Sequence, residues 1–146
     1  MTLPKENGTL FSSIGTIHYG KDKLIVSIER DISEYYRSLI PKYISHQSLR
    51  YAPHISVVRK EMPEQNLYSK HWNKYEGKEV EFYYSNTIYW GQVYIWLNVY
   101  SVTLENLRAE LGLKNESLYI QPPSGFIKTF HTTLGNFKGL KPYEPI

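Results

Sequence analysis

The sequence predicts an α+β fold in which helices pack outside antiparallel sheets. Segments with alternating apolar and polar residues, typical of strands, are interspersed with segments that have helical spacing. Their order is strand, strand, helix, strand, helix, and then strand, strand, helix, strand, which indicates two similar halves. No glycine-rich phosphate loop is present, so a Rossmann or P-loop fold has no support. We therefore expect residues 1–146 to form a single two-lobed domain.

The first half is predicted to contain three strands and two helices. Asp31, with Glu34 three residues later, resembles a capping box at the start of the first helix, and Pro41 marks its end. Gly77 is expected to stop the second helix. The predicted elements are strands 10–18, 23–29 and 54–59, a helix after Asp31 and a helix over 64–75.

The second half is predicted to contain three strands and one helix. Leu104, Leu107 and Leu111 lie on one face of that helix, which Thr103 is expected to cap and Gly112 to end. A proline-rich loop follows, and the chain closes with a polar tail. The predicted strands are 79–85, 92–102 and 128–137, the loop is 122–125, and the tail is 139–146.

The composition excludes several classes of function. The chain has no cysteine, which removes disulfides, thiolate metal sites and cysteine nucleophiles, and a reducing cytoplasm fits this. No signal-peptide pattern and no apolar run long enough to span a membrane is seen. The net charge of +3 gives no indication of binding to long nucleic acid. The chain has 14 Tyr, 3 Trp and 5 Phe, and such rings pack in cores or stack on bases.

Two strand-like segments repeat the pattern His-x-Ser/Thr-hydrophobic, at His54-Ile55-Ser56-Val57 and His131-Thr132-Thr133-Leu134. Because successive side chains of a strand point to opposite faces, each segment presents an imidazole and a hydroxyl on one face. One such match arises by chance for about one histidine in twenty. Two matches in corresponding positions of the two halves are much harder to obtain by chance. They indicate a functional cleft lined by two imidazoles and two hydroxyls.

Those four groups suit metal-independent cleavage of a phosphodiester. One histidine takes a proton from the attacking oxygen and the other donates one to the leaving oxygen. The hydroxyls of Ser56 and Thr133 stabilise the negative charge on the phosphoryl oxygens. Zinc binding is the competing use of paired histidines, but it needs three or four ligands, and we expect no metal and no cofactor. The remaining histidines, His18, His46 and His71, lack the repeated context and are expected at the surface or in packing.

The duplicated motif resembles that of the two-histidine (2H) phosphoesterase superfamily, over nearly the whole chain. Residues 35–43 and 50–56 are further similar to the phage anti-CBASS nucleases, which degrade cyclic oligonucleotide signals of bacterial immunity. The resemblance implies two lobes of antiparallel sheet around a central cleft, and a 3′,5′-linked cyclic di- or trinucleotide as substrate in the host cytoplasm. Ser56 stands where threonine is common, which keeps the hydroxyl.

The resemblance implies that His54, Ser56, His131 and Thr133 are catalytic. Tyr19 and Trp90, the latter expected in a turn at residues 86–90, are candidates for stacking or phosphate contacts, with structural packing as the alternative. Lys128 leads into the second motif and is a candidate phosphate contact, with an exposed strand lysine as the alternative.

Two rival functions stay open from the sequence. The first is a 2H enzyme that acts on the 2′,3′-cyclic ends of RNA, and the second is a sponge that binds cyclic nucleotides without cleaving them. The sequence does not decide the preferred base, the ring size, the acid and base roles of the two histidines, the affinity or the oligomeric state.

Overall fold

The structure, a computed structural model that describes residues 3–140, contains seven strands and three helices over that range. No helix in this range is long and apolar enough to cross a membrane. The elements in chain order are β1 Leu10–Tyr19, β2 Lys23–Ser27, α1 Arg30–Ser38, β3 Gln47–Ser48, β4 His54–Arg59, α2 Gln65–His71, β5 Glu79–Trp90, β6 Tyr94–Tyr100, α3 Val102–Glu110 and β7 Phe130–Asn136.

Six of the strands close into an antiparallel barrel. Their order is β7, β4, β2, β1, β5 and β6, and the barrel closes because β6 also pairs with β7. The short β3 pairs with the far end of β7, where Gln47 lies opposite Asn136. The predicted α+β class is confirmed, and the strands of the two predicted sheets join in one continuous sheet.

The two halves of the chain meet at two unequal seams. Strands β1, β2 and β4 come from the first half, and β5, β6 and β7 come from the second. At one seam, β1 and β5 pair continuously from Leu10–Ser85 to Thr16–Glu79. At the other seam, β4 and β7 share a single partner pair, Ile55 and Thr132. Each half thus brings one motif strand to the shorter seam.

Apolar side chains cover one face of the barrel wall and pack against the helices. Alternating residues of all six strands contribute to this core, as the two-residue period requires. At one end of the barrel, Leu104 and Leu107 of α3 pack in a cluster with Val57 and Phe130. At the other end, Tyr36 of α1, together with Ile40, Leu97 and Leu134, forms a second cluster. The opposite face carries polar and aromatic side chains, among them Asn98 and Tyr100 of β6, which are buried there.

The first helix differs from its prediction at both ends. Glu29 is the N-cap residue, and it makes no capping bond through its side chain. Asp31, predicted as the cap, lies in the first turn, where its negative charge is favourable. The helix ends at Ser38, because Pro41 disfavours helical geometry at the residue before it and the last turn tightens through the Ile40 N–H to the Arg37 carbonyl.

The other two helices are also shifted by a few residues. Ser101 caps α3 by accepting the Leu104 N–H, so Thr103 lies inside the helix. Glu64 caps α2 through two backbone N–H groups, and the helix ends at His71 instead of residue 75. Gly112 directly follows the C-cap of α3 with positive φ, as predicted for a helix-ending glycine, whereas Gly77 also has positive φ but lies six residues after the end of α2 and does not stop it.

The second half contains the largest strand correction. Trp90 was expected in a turn, yet β5 continues to Trp90, because a register irregularity between Tyr84 and Ile88 keeps the strand paired with β6. Lys128 was expected in a strand, but it precedes β7 by two residues. Most of the predicted tail, residues 141–146, lies outside the described residues.

Candidate active site

The two motif strands bring their imidazoles and hydroxyls to one face of the barrel wall. Ile55 and Thr132 are partners and both are fully buried, so their side chains point into the core. Continuing this antiparallel register by one residue in each direction places His54 opposite Thr133 and Ser56 opposite His131, all on the other face. Such partners have Cβ atoms about 5 Å apart, and diagonal neighbours such as the two histidines about 7–8 Å apart.

The ring of His54 has a fixed orientation. Its Nδ1 lies 3.0 Å from the carbonyl oxygen of Ala52, which can only accept a hydrogen bond, so Nδ1 is the protonated nitrogen. Nε2 is consequently the ring nitrogen left available to accept or donate a proton. The side chain is half-buried, and Ser27 of β2 lies beside it as its strand partner.

His131 has a perturbed acidity. Its side chain reaches solvent, yet enough protein surrounds the ring that loss of hydration is the largest cause lowering its pKa. The positive charges of Lys128, His54 and Arg59 lower this pKa further, in that order. The neutral ring is therefore favoured near pH 7. The influence of His54 also means that the two imidazoles are close enough to interact electrostatically.

The two hydroxyls of the motifs are available for a ligand. Ser56 and Thr133 are both half-buried, and neither side chain makes a hydrogen bond with another residue of the range 3–140. A hydroxyl that has no protein partner but lies beside an imidazole can donate to an anionic oxygen. The four motif side chains thus form a compact polar patch with two proton-exchanging groups and two hydrogen-bond donors.

A pocket of about 320 Å³ opens beside His131. Its walls are strand β6, the start of β7 and the segment that connects α3 to β7. Leu118 and Tyr119 of that segment are exposed at the rim, and Trp96 of β6 is the strand partner of Thr133 on β7. The lining residues are Tyr94, Trp96, Asn98, Leu118, Tyr119, Ile120, Lys128, Thr129, Phe130 and His131.

The half-buried carboxylate of Glu6 supports one wall of this pocket through Asn98. Asn98 is the β6 partner of His131, and its Nδ2 donates to Glu6 at 2.8 Å while its Oδ1 accepts the Trp96 Nε1–H at 3.0 Å. Tyr100 also donates to Glu6, at 2.8 Å. Burial raises the pKa of Glu6, but hydrogen bonds from Asn98, the Gly8 N–H and other donors outweigh it, so the pKa lies below its usual value. An ionised Glu6 therefore fixes both Asn98 and the indole ring.

No family model, curated protein or solved structure matches this chain significantly. The resemblance to the 2H phosphoesterases consequently depends on the duplicated sequence motif alone and stays a prediction.

Helix α3 determines where Lys128 lies. Glu105 is buried, and its Oε2 accepts the N–H groups of Ile127 and Lys128 at 2.8 and 2.9 Å. The ammonium of Lys128 donates to the Glu116 carbonyl at 3.3 Å and lies 5.7 Å from the centre of the Phe130 ring. Burial is the main cause that lowers the pKa of Lys128. Lys128 shares the pocket with His131, as its proposed role requires.

The two aromatic candidates lie away from the histidine pair. Tyr19 is one residue beyond His18 on β1, on the core face, where it packs edge-on against Trp72 at 5.0 Å and contacts the main core cluster. Burial raises its pKa to about 12. Trp90 is 54% exposed at the end of β5, and its partner is the core residue Ile95. The geometry of Tyr19 fits the packing alternative, whereas Trp90 is largely exposed and its role in stacking stays a prediction.

Trp96 and Asn98 are site residues that the sequence reasoning missed. Trp96 stacks on Tyr89, with the ring centres 6.0 Å apart and the planes 20° apart. The available signal was the strand 94–100, where Asn98 interrupts an otherwise apolar and aromatic sequence. A polar residue within such a strand faces away from the core or needs buried partners.

The other histidines have structural partners. His18 pairs with Glu76 and His71 pairs with Glu110, at 3.3 and 2.9 Å. His46 Nδ1 lies 3.1 Å from the Ile44 carbonyl. Over residues 3–140, no three His, Cys, Asp or Glu side chains group closely enough to hold a metal ion.

Proposed function

We propose that this chain is a metal-independent phosphodiesterase that hydrolyses 3′,5′-linked cyclic di- or trinucleotides. The observation that supports this most directly is the register of β4 and β7, in which each motif histidine lies opposite the hydroxyl of the other motif. A single phosphate placed over this patch contacts an imidazole on either side and a hydroxyl donor beside each imidazole.

The acidity of His131 indicates which histidine acts as the base. Its lowered pKa favours the neutral ring, which can accept a proton near pH 7. We therefore assign the first proton transfer to His131. His54 takes the role of acid: with its Nδ1–H held by the Ala52 carbonyl, the doubly protonated ring donates the proton of Nε2.

The proposed reaction has two steps. In the first, His131 removes the proton of a ribose 2′-OH, the 2′-oxygen forms a bond to phosphorus, and the bond from phosphorus to the 5′-oxygen breaks as His54 protonates that oxygen. The product is a 2′,3′-cyclic phosphate. In the second step the roles exchange: His54 removes a proton from water, the water oxygen attacks phosphorus, and His131 protonates the departing 2′-oxygen. The result is a linear product that ends in a monophosphate.

The hydroxyls have a separate role. The negative charge of the transition state spreads over the oxygens of phosphorus that neither attack nor leave. Ser56 and Thr133 donate hydrogen bonds to those oxygens, and donors fixed in advance are most effective because they need not reorganise. The two halves of the barrel, joined at the short β4–β7 seam, correspond in this proposal to the two lobes of the 2H phosphoesterases.

The pocket beside His131 fits the substrate class. A base that extends from the scissile linkage can stack on aromatic rings, and the pocket offers Trp96 and Tyr119. The modest net charge of +3 favours a small anion over long nucleic acid, whose binding depends on many phosphate contacts.

A product assay tests the proposal. The wild-type protein is incubated in EDTA with a panel of cyclic oligonucleotides, and the products are identified by mass spectrometry. We expect hydrolysis that EDTA does not affect, a bell-shaped pH profile, and resistance of a substrate with 2′-deoxyribose at the scissile linkage. His54→Ala and His131→Ala should each reduce the rate about 10²- to 10⁴-fold. His71→Ala, remote on α2, is the matched control.

The same assay separates the rival functions. Faster reaction with RNA that bears a 2′,3′-cyclic end would replace the proposed substrate. Binding of cyclic nucleotides without any product, unchanged in the double variant of His54 and His131, would identify a sponge and refute the enzyme proposal.

A further inference from the structure

A second pocket, of about 260 Å³, lies next to the start of the first motif strand. We refer to it as the arginine pocket, because Arg30 and Arg37 of α1 and Arg50 of the following segment line it. Glu34 is the one carboxylate among the lining residues. The pocket therefore has an excess of two positive charges.

The arginines of this pocket have no anionic partner within residues 3–140. The four ion pairs in that range involve other side chains, and no hydrogen bond joins any of the three guanidinium groups to another residue of the range. The Nε of Arg37 is fully buried and lacks a hydrogen-bond acceptor. Buried polar groups are nearly always paired, so an orphaned guanidinium N–H indicates an absent acceptor. Guanidinium groups match the geometry of phosphate oxygens.

The arginine pocket is connected to His54 by the backbone. Ala52 and Pro53 line the pocket, and the Ala52 carbonyl accepts the hydrogen bond that orients the His54 ring. The Pro53 carbonyl accepts the N–H of Ile28, two residues before Arg30. The arginine pocket thus reaches the two residues that precede His54, whereas the pocket lined by Trp96 includes His131 itself.

We propose that the arginine pocket binds a phosphodiester group of the substrate that is not the one being cleaved. This inference rests on the proposed function. A cyclic di- or trinucleotide has at least one further phosphodiester while the first lies between the histidines. That group needs a cationic site at short range, and the arginine pocket has the required charge, an unpaired donor and a wall, Ala52 and Pro53, that leads directly into His54.

The experiment compares substrates with one and with two phosphate groups. Arg50→Gln removes an exposed guanidinium, and Arg37→Gln removes the orphaned one. Lys70→Gln, on α2, removes the same charge elsewhere. Each variant and the wild type are assayed with a cyclic dinucleotide, with a 2′,3′-cyclic mononucleotide, and with a short RNA that ends in a 2′,3′-cyclic phosphate.

We expect each arginine variant to raise KM for the cyclic dinucleotide about tenfold or more with little change in kcat, because a binding contact remote from the reacting bonds is lost. The cyclic mononucleotide, which has a single phosphate, should be cleaved as by wild type, and Lys70→Gln should have no effect on either. Normal cleavage of the mononucleotide also shows that a variant is folded.

Three outcomes would overturn the inference, and they differ from one another. If the arginine variants leave KM unchanged for the cyclic dinucleotide and the cyclic mononucleotide, or raise it equally for both, the pocket has no role as a second phosphate site. The proposed phosphodiesterase activity would be unaffected by that result. If only the RNA substrate is affected, the pocket binds an RNA backbone instead. If wild type cleaves neither cyclic substrate, the proposed function itself fails and the inference fails with it.

Discussion

Thr132 and Thr133 are neighbours on β7 whose predicted roles are opposite. Thr132 is fully buried, its hydroxyl makes no hydrogen bond within residues 3–140, and its strand partners are Ile55 and Leu97. Thr133 faces the other side, opposite His54. Replacing each by valine, which has nearly the same shape, removes one hydroxyl at a time.

For Thr132→Val we expect a more stable protein. A buried hydroxyl without a partner costs about 1–3 kcal/mol, and a methyl group in the same place fits the apolar surroundings. Both residues suit a strand, so backbone preference changes little. We expect the free energy of unfolding to rise by about 1–2 kcal/mol, which corresponds to roughly 2–8 °C in Tm for a chain of this size. The rate of hydrolysis should stay within about twofold of wild type. Valine has nearly the shape of threonine, and the side chain at position 132 points into the core, so the site is left unchanged.

For Thr133→Val we expect the reverse pattern. Loss of one preorganised donor to a phosphoryl oxygen reduces kcat about 10²-fold or more. The change in unfolding free energy should be within about 0.5 kcal/mol, because the side chain is half-buried and makes no hydrogen bond within the described range. Thermal unfolding and a rate assay on the same two samples decide the matter. A catalytic defect in Thr132→Val together with normal activity in Thr133→Val would refute the register on which the site is built.

Three further predictions concern charged groups. Lys128→Gln removes a charge that lowers the pKa of His131, so this pKa should rise and the acid limb of the kcat/KM profile should move to higher pH. Lys128→Arg keeps the charge and should leave the limb in place. An unmoved limb in the glutamine variant would contradict the electrostatic role of Lys128. Arg108→Ala should reduce the unfolding free energy by roughly 3 kcal/mol in urea titrations, the low end for buried pairs because its partner Glu61 reaches water. The Arg108 hydrogen bond is the main cause that holds the pKa of Glu61 below its usual value. This carboxylate therefore adds stability above its unfolded pKa and loses it as the pH falls through the lower, folded value. Glu61→Gln should flatten the fall in urea midpoint at acid pH, and an unchanged slope would exclude the pair as its source.

The sequence predicts the local elements well where one face of a segment is buried. The first motif strand has the predicted bounds, His54–Arg59, because alternation of buried and partly exposed residues sets both strand type and face. The four motif residues likewise reach one face because the two-residue period of a strand is fixed by covalent geometry. What alternation cannot predict is which strands become neighbours. Closure of the barrel depends on pairings such as β6 with β7, which join residues distant in sequence.

The surroundings of the site were harder to predict for the same reason. Glu6 lies 92 residues before Asn98, and the side-chain bonds between them have no local signal. Trp90 and Trp96 are both strand aromatics near one hairpin, and only the register decides that Trp96 lines the pocket beside His131 while Trp90 lies at the exposed end of β5. The arginine pocket is similar, because α1 and residues 48–53 are brought together by the packing of the helix on the barrel and not by any motif.

The duplicated motif itself has a geometric explanation. When two copies of His-x-hydroxyl pair antiparallel about their middle residues, each histidine necessarily lies opposite the hydroxyl of the other copy, and the arrangement has an approximate two-fold axis through Ile55 and Thr132. A phosphodiester in the transition state has a related symmetry, since an oxygen enters on one side of phosphorus as another leaves on the opposite side. A slip of one residue in either strand would turn an imidazole and a hydroxyl into the core. Both the symmetry and the pairing of each histidine with a hydroxyl would then be lost. The buried Ile55 and Thr132 therefore do as much to define the candidate site as the four motif side chains on the other face, because they fix the register on which its symmetry depends.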